Sequence, residues 1–309
     1  MKRLSTRDEI EFSRLDTTLT AFAEQIHPLP GVAGAKERAV FVHQLIDSLH
    51  RVAYPRRLLE RAQSPRRADP DDIAYFDPIK AAAQLASVGQ HDEACWLVFL
   101  SVHFGKSRRG GWRLVREIYG KLGQGGRWDW QTVSAAPSQM GQWIDAQRNH
   151  LGCAGEGGFG NHRKRESLAA TGKTIESYVA WIGIAGHRAR IDAALESAQG
   201  DSRLAFDELY RSMTVFRFGR LARFDYLSML GKLNLAPIVA GSAYLADSTG
   251  PRGGARLLFE GARNAVIKND VLEARLAALD AVLGVGMQVL EDALCNWQKC
   301  TSDYVRFNA

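Results

Sequence analysis

Apolar side chains recur along most of this chain at intervals of three and four residues, the spacing of one face of an α-helix. Residues 36–53 set Phe41, Leu45, Leu49 and Val52 on one such face, and residues 271–297 do the same with Leu272, Leu276, Leu279, Leu283, Met287, Leu290 and Leu294. Both stripes predict core-facing helices. Further helices are expected at 6–27, 78–104, 110–122, 139–149, 167–198, 201–213, 235–246 and 253–266, and one carries Phe218 to Met229 ahead of a Leu230-Gly231-Lys232-Leu233 turn. Pro28, Pro30 and Gly31 punctuate the pattern, no strand-like alternation of useful length competes with it, and no fixed repeat is visible. The expected fold class is all-α. A soft division near residue 150 gives two helical parts, 1–150 and 151–309, packed around a shared cleft.

Composition narrows this without redirecting it. The chain has 309 residues, 46% hydrophobic and 24% charged, as expected of a globular protein with a large core. The N-terminus is charged with no apolar run behind it, and nowhere do about 18 uninterrupted apolar residues occur. Neither a signal peptide nor a membrane span is therefore expected, and the predicted location is the cytoplasm. Cys95, Cys153, Cys295 and Cys300 are too few and scattered for a disulfide framework. The Cys295–Cys300 pair lacks a second pair at zinc-ligand spacing, so a metal site is not expected.

Charge changes the picture more. The net charge is +6, and much of it is concentrated between His103 and Arg127, where Lys106, Arg108, Arg109, Arg113, Arg116, Lys121 and Arg127 face the single acid Glu117. Glycines allow close backbone approach there, and Trp112, Tyr119, Trp128 and Trp130 add flat rings that stack on bases or pack a core. A second basic segment follows a glycine run, with Phe159, Gly160, Asn161, His162, Arg163, Lys164 and Arg165 in order. It lacks the spacing of a nucleotide-triphosphate loop, so its amides and cations fit the phosphates of a nucleic acid better.

The most chemically pointed residue is Asp225, a lone carboxylate in an apolar and cationic helix. On the helical wheel it falls between Leu221 and Phe218 with Met229 and Ala222 alongside, which puts it on the core-facing stripe. A carboxylate so placed is paired, hydrogen-bonded, or held with a shifted pKa as a general acid or base. A structural ion pair and a catalytic role both satisfy the pattern.

Five segments then carry a resemblance: His103-Phe-Gly-Lys106, Gly111-Trp-Arg-Leu-Val-Arg-Glu-Ile-Tyr-Gly120, Phe159-Gly-Asn-His-Arg-Lys164, Phe218-Gly-Arg-Leu-Ala-Arg-Phe-Asp-Tyr-Leu227 and Ser248-Thr-Gly-Pro-Arg-Gly-Gly-Ala-Arg-Leu-Leu-Phe259. Together they resemble the alpha-glutamyl/putrescinyl thymine pyrophosphorylase family, related to helix-hairpin-helix DNA glycosylases and including antiphage enzymes that excise glucosylated hydroxymethylcytosine.

The resemblance implies a helical glycosylase-like fold with a helix-hairpin-helix-like element, and an enzyme that removes a modified, phage-derived base from double-stranded DNA without a cofactor or membrane. Other relatives are proposed to modify phage thymine derivatives, so a transferase and a DNA-binding module without chemistry stay open beside the glycosylase. A base-excising enzyme needs cations for the DNA backbone, a pocket for the extruded base, and an acid. The candidates for DNA contact are Lys106, Arg108, Arg109, Arg113, Arg116, Asn161, His162, Arg163, Lys164, Arg220 and Gly231, with Gly231 in the expected hairpin at Leu230–Leu233. Trp112, Phe159 and Tyr226 are candidates for the base pocket. Asp225 is the candidate catalytic acid or base. Because the catalytic Asp of many such glycosylases follows the hairpin, Asp247 is a rival, and Lys232 is a candidate amine nucleophile. Glu166 and Asp77 are weaker alternatives, read as capping or salt-bridging acids.

Overall fold

The computed structural model describes residues 4–152, 158–163 and 166–307, and the described residues form an all-helical protein. In chain order the helices are α1 (Thr6–Gln25), α2 (Ala35–Leu58), α3 (Pro78–Ser87), α4 (His91–Phe104), α5 (Arg113–Tyr119), α6 (Trp130–Ala135), α7 (Pro137–Ala146), α8 (Arg148–Leu151), α9 (Leu168–Ile182), α10 (Gly186–Ser197), α11 (Ser202–Ser212), α12 (Arg220–Lys232), α13 (Gly250–Glu260), α14 (Asn269–Leu283) and α15 (Met287–Trp297). The β-pairing among the described residues is one isolated bridge, Ser107 to Gly111. No helix among them is long and apolar enough to cross a membrane.

Three expected long helices are each two. The stripes over 78–104, 167–198 and 271–297 break at Gly89, Gly183 and Gly284, whose φ values of 79°, 80° and 64° lie in the left-handed region that ends a helix cheaply only at glycine. The apolar period continues across each break, so both halves still bury one face. The expected helix at 235–246 is absent. Pro237 and Gly241 interrupt that segment, and the Glu273 carboxylate accepts from Ser242 Oγ at 2.7 Å and the amides of Ala243 and Leu245 at 3.1 and 2.5 Å, supplying partners that a helix would otherwise provide.

The chain divides into two compact units, residues 1–54 with 240–309, and residues 55–239. Position 150, where the sequence pattern suggests a division, lies inside the second unit. In the first unit α13 packs on α15 and α14 on α1. The backbones of α13 and α15 approach closely because Gly254 has no side chain, since a Cβ there would lie 2.4 Å from the Leu294 carbonyl oxygen. All seven residues of the 271–297 stripe are buried, whereas on α2 Phe41 and Leu45 are buried and Leu49 and Val52 half-buried.

In the second unit α3 packs on α4, α7 on α9, and α12 and α10 on α4. The core there is aromatic. Trp96, Phe99, Tyr178, Tyr226 and Phe218 are each at most 2% exposed, and Phe99 stacks on Tyr178 with ring centroids 3.7 Å apart. One face of α4 presents Asp92, Cys95, Phe99 and His103 in turn, at helical spacing, and thereby reaches from one end of this core to the other.

Candidate active site

Two glycines bring distant segments together in the second unit. Gly105 ends α4 with φ of 70°, and Gly160 lies directly against it, its N–H donating to the Phe104 carbonyl at 2.7 Å. The contact is backbone on backbone, because a Cβ on Gly160 would stand 2.8 Å from the Cα and carbonyl carbon of Gly105. This seats the short turn Asn161–Arg163 over the C-terminus of α4.

From that turn Arg163 reaches inward and becomes the hub of the site. Its side chain is 10% exposed, its Nε donates to the Val102 carbonyl at 2.8 Å, and its guanidinium stands 5.9 Å from the centroid of the Phe218 ring. Its Nη2 lies 3.6 Å from Oδ2 of Asp225, an ion pair too long to count as a direct hydrogen bond. Asp225 therefore keeps accepting capacity for another donor while its charge is balanced.

Asp225 is not sealed on a core-facing stripe as the wheel predicts. The buried positions of α12 include Ala222, Phe224, Tyr226, Leu227 and Leu230, while Leu221, Asp225 and Met229 are half-exposed. The carboxylate is ringed by protein atoms, yet 42% of its side-chain surface reaches solvent. Burial pushes its pKa up from the ordinary carboxylate range, and the charges of Arg163, His162, Lys232 and Arg220 pull it part of the way back. A second acid stands nearby in the same charge network, Glu166, 3.3 Å from Arg217 Nε and close enough to favour the Arg163 cation.

Beneath Arg163 lies His103, 2% exposed, stacked on Phe99 and flanked edge-on by Phe104 and Phe159. Burial, with Arg163 and Arg217 adding repulsion, holds its pKa down at about 3, so at neutral pH it is an uncharged ring, with Nε2 3.3 Å from the Thr171 hydroxyl.

A hydrogen-bonded chain runs behind α12. Asp92 Oδ1 accepts from the His187 amide at 2.8 Å and pairs with His187 Nδ1 at 2.7 Å. His187 Nε2 meets the Tyr178 hydroxyl at 2.7 Å, and Tyr178 meets the Tyr226 hydroxyl at 2.8 Å. Tyr226, next to Asp225 in sequence, is thus tied to the start of α10. No period or motif announces this chain, because its members come from α4, α9, α10 and α12.

The sequence candidates separate accordingly. Asp225, Arg163 and the backbone of Phe159–Arg163 converge, with His162 exposed on the same turn and Arg220 5.0 Å over the Phe224 ring at the start of α12. Lys164 lies outside the described residues. Lys106, Arg108 and Arg109 are exposed on the loop after α4, with the Lys106 ammonium 5.7 Å from the Trp112 ring centroid. Arg113 and Arg116 are taken up internally: Arg113 pairs with Glu117 at 2.6 Å and donates to the Leu151 carbonyl, and Arg116 pairs with Glu117 at 3.2 Å. Tyr226 is a core residue rather than a pocket wall, being fully buried against Phe99, Tyr178, Trp181 and Phe218. Phe159 is half-buried against His103 and Phe104, while Trp112 borders a separate cavity of about 550 Å³ with Phe76 and Arg109.

Lys232 is buried, 7% exposed, with a charge that Asp225 senses. Asp247 is exposed on a turn of the other unit, ahead of α13, and Asp77 caps α3 by accepting from the amides of Ile79 and Lys80.

The expected hairpin at Leu230–Leu233 is a correction. Leu230, Gly231 and Lys232 form the last turn of α12, and a Cβ on Gly231 would lie 2.3 Å from the Ile238 carbonyl oxygen, so the glycine permits close packing there. A glycine turn joining two helices stands elsewhere in the same unit, where Gly183 and Gly186, with φ of 80° and 83°, link α9 to α10. The signal for it was a Gly-x-x-Gly inside a stretch whose apolar period reads as one helix.

A family model described as alpha-glutamyl/putrescinyl thymine pyrophosphorylase clade 3 matches residues 36–309. Searches of curated proteins and of solved structures give no match.

Proposed function

The chain belongs to that family, and from this premise we propose that it is a DNA-directed enzyme that hydrolyses the N-glycosidic bond of a modified, phage-type base and leaves an abasic site. The observation that carries the reading is the Asp225–Arg163 pair: a carboxylate open to solvent, balanced by a guanidinium 3.6 Å away, with further cations around it. In this account DNA phosphates lie against His162, Arg220 and the exposed Lys106, Arg108 and Arg109. The base is extruded toward Asp225. The carboxylate takes a proton from a water that attacks C1′ of the sugar, the bond from C1′ to the base nitrogen breaks, and the base leaves with that electron pair and a proton. The negative charge of Asp225 also favours the sugar cation that develops as the bond stretches. Relative to the glycine turn at 183–186, Asp225 follows in sequence, the order implied by the glycosylase resemblance.

A second reading is favoured by one observation, the density of cations around Asp225. Arg163, His162, Lys232 and Arg220 together suit a diphosphate leaving group, with Asp225 deprotonating an incoming amine that displaces it from a modified thymine. The two readings release different products. Incubating the protein with hypermodified phage DNA and with unmodified DNA, then measuring free base by mass spectrometry and free diphosphate enzymatically, decides between them: free base with abasic sites supports hydrolysis, and diphosphate with retained bases supports transfer.

A further inference from the structure

A cavity of about 550 Å³ opens in the second unit, and the chemistry assigned to Asp225 leaves it unused. Its volume is that of a small-molecule site. Ile73 and Phe76 line it from the segment ahead of α3, and Arg109, Trp112, Arg113 and Arg116 from the loop after α4 and from α5. Among the described residues no acid lines it.

The cavity offers flat carbon surface and fixed cations. Trp112 is half-buried with its indole nitrogen covered, so the side-chain surface it leaves open is carbon. Ile73 is 72% exposed, an apolar surface that a ligand in the cavity would cover. The loop that carries Arg109 is closed by two backbone bonds, from Ser107 N–H to the Gly111 carbonyl at 2.9 Å and from Gly111 N–H to the Ser107 carbonyl at 3.0 Å. Arg116 is fixed on α5 with its side chain 18% exposed.

Charge balance sets the sign of the ligand. Glu117 pairs with Arg113 at 2.6 Å and shares its other oxygen with Arg116 at 3.2 Å. Arg109 is exposed and has no carboxylate partner among the described residues. Acids of the facing segment are taken up elsewhere: Asp72 pairs with Arg66 at 2.6 Å, Asp69 with Arg127 at 3.0 Å, and Asp77 caps α3. With Glu117 held at the shorter distance by Arg113, Arg116 and Arg109 bring two positive charges that no acid at the cavity balances. A largely buried cation short of an anion is costly, and an anionic ligand relieves that cost.

We propose that this cavity is a second ligand site, one that takes a nucleotide bearing a phosphate monoester, with the phosphate at Arg109 and Arg116 and the base against Trp112. A phosphate monoester carries about two negative charges near neutral pH, whereas an internal phosphate of DNA carries one, so the two unbalanced arginines match the monoester. Guanidinium forks hold such an oxyanion by paired hydrogen bonds, and the indole supplies a surface on which any base stacks. Two sources share this chemistry, a free mononucleotide and the phosphorylated end of a DNA strand. The site does not depend on base excision at Asp225.

The test is isothermal titration calorimetry on the full chain with the four deoxynucleoside 5′-monophosphates, their nucleosides and inorganic phosphate. At least one monophosphate is expected to bind about tenfold or more tightly than its nucleoside or phosphate alone, because ring and charge act together. Arg109→Gln, Arg116→Gln and Trp112→Leu should each weaken that binding by about tenfold or more, and Asp225→Asn should leave it unchanged. Arg109 is exposed, so its variant carries the test even if a thermal melt shows that either of the others is unfolded. A short single strand with a 5′-phosphate, set against the same strand ending in a hydroxyl, tells the sources apart. Preference for the phosphorylated strand, lost in Arg109→Gln, assigns the site to DNA ends, and equal binding of both strands beside tight mononucleotide binding assigns it to the free nucleotide. No monophosphate binding up to about 1 mM together with no preference for the 5′-phosphate would overturn the proposal. So would nucleotide binding that Asp225→Asn abolishes and the cavity variants leave intact, which would put the nucleotide at Asp225 instead.

Discussion

Replacing Gly160 by alanine tests the contact on which the site depends. The new Cβ would stand 2.8 Å from Gly105 Cα and carbonyl carbon and 2.9 Å from the Lys106 amide nitrogen, all of them backbone atoms that cannot rotate away. Ordinary carbon contacts lie near 3.5–4.0 Å, so the two loops must part by roughly 0.7 Å or more. That movement stretches the 2.7 Å bond from Gly160 N–H to the Phe104 carbonyl and carries Arg163 with it, since the Arg163 amide donates to the Gly160 carbonyl at 2.8 Å. Overpacking of this kind costs about 1–3 kcal/mol. For a unit of the size of residues 55–239 each kcal/mol shifts Tm by about 2–4 °C, which gives a fall of roughly 2–12 °C. Displacing Arg163 from Asp225 by a similar distance is expected to slow base release by about a hundredfold. Gly158→Ala is the control, because open space surrounds that position, and it should change stability by less than about 0.5 kcal/mol. Differential scanning calorimetry and a base-release time course on both variants provide the assay. Gly160→Ala melting within a degree of Gly158→Ala, with the same rate, would refute the reasoning.

Other outcomes follow from the same geometry. His103 titrates at about 3 in the folded protein and in the ordinary range near 6.5 when unfolded, so the unfolded state binds more protons between those values and stability falls as pH drops through that window. At pH 4.5 this residue alone should remove on the order of 2–3 kcal/mol, which urea unfolding at pH 7 and 4.5 would show as a steeper loss in the unaltered protein than in His103→Gln. Tyr178→Phe leaves both His187 Nε2 and the Tyr226 hydroxyl without their partner and should cost roughly 2–4 kcal/mol, against roughly 1 for Tyr226→Phe, by chemical denaturation; equal losses would contradict the chain. The acid limb of the pH–rate profile should sit above the ordinary carboxylate range, because Asp225 must be charged to act and its pKa is raised, and Arg163→Gln should move that limb further upward.

Much of the fold was legible because helical burial writes a period into sequence, and the buried stripe of 271–297 lies where the spacing puts it. The breaks were hidden because a single glycine ends a helix without disturbing the apolar period on either side, as at Gly89, Gly183 and Gly284. The same effect displaced the expected hairpin: 167–198 reads as one helix, so the Gly183–Gly186 turn was concealed, while the visible Leu-Gly-Lys-Leu proved to be a close-packed helix end. In the basic block, Glu117 was visible as its single acid, but that it sits between Arg113 and Arg116 and pairs with both depends on helical geometry around one residue. Asp225 was identifiable as a lone acid in a cationic helix. Its pairing with Arg163 was not, because it rests on two glycines 55 residues apart meeting backbone to backbone.

The central claim is that Asp225 performs base removal on DNA that the surrounding cations hold. It is tested most directly by single-turnover base release, measured by mass spectrometry alongside filter binding of the same modified duplex, for the unaltered protein and Asp225→Asn. The account predicts that Asp225→Asn retains DNA within about threefold of the unaltered affinity and loses base release by at least about a thousandfold. Base release at the unaltered rate by Asp225→Asn would contradict it.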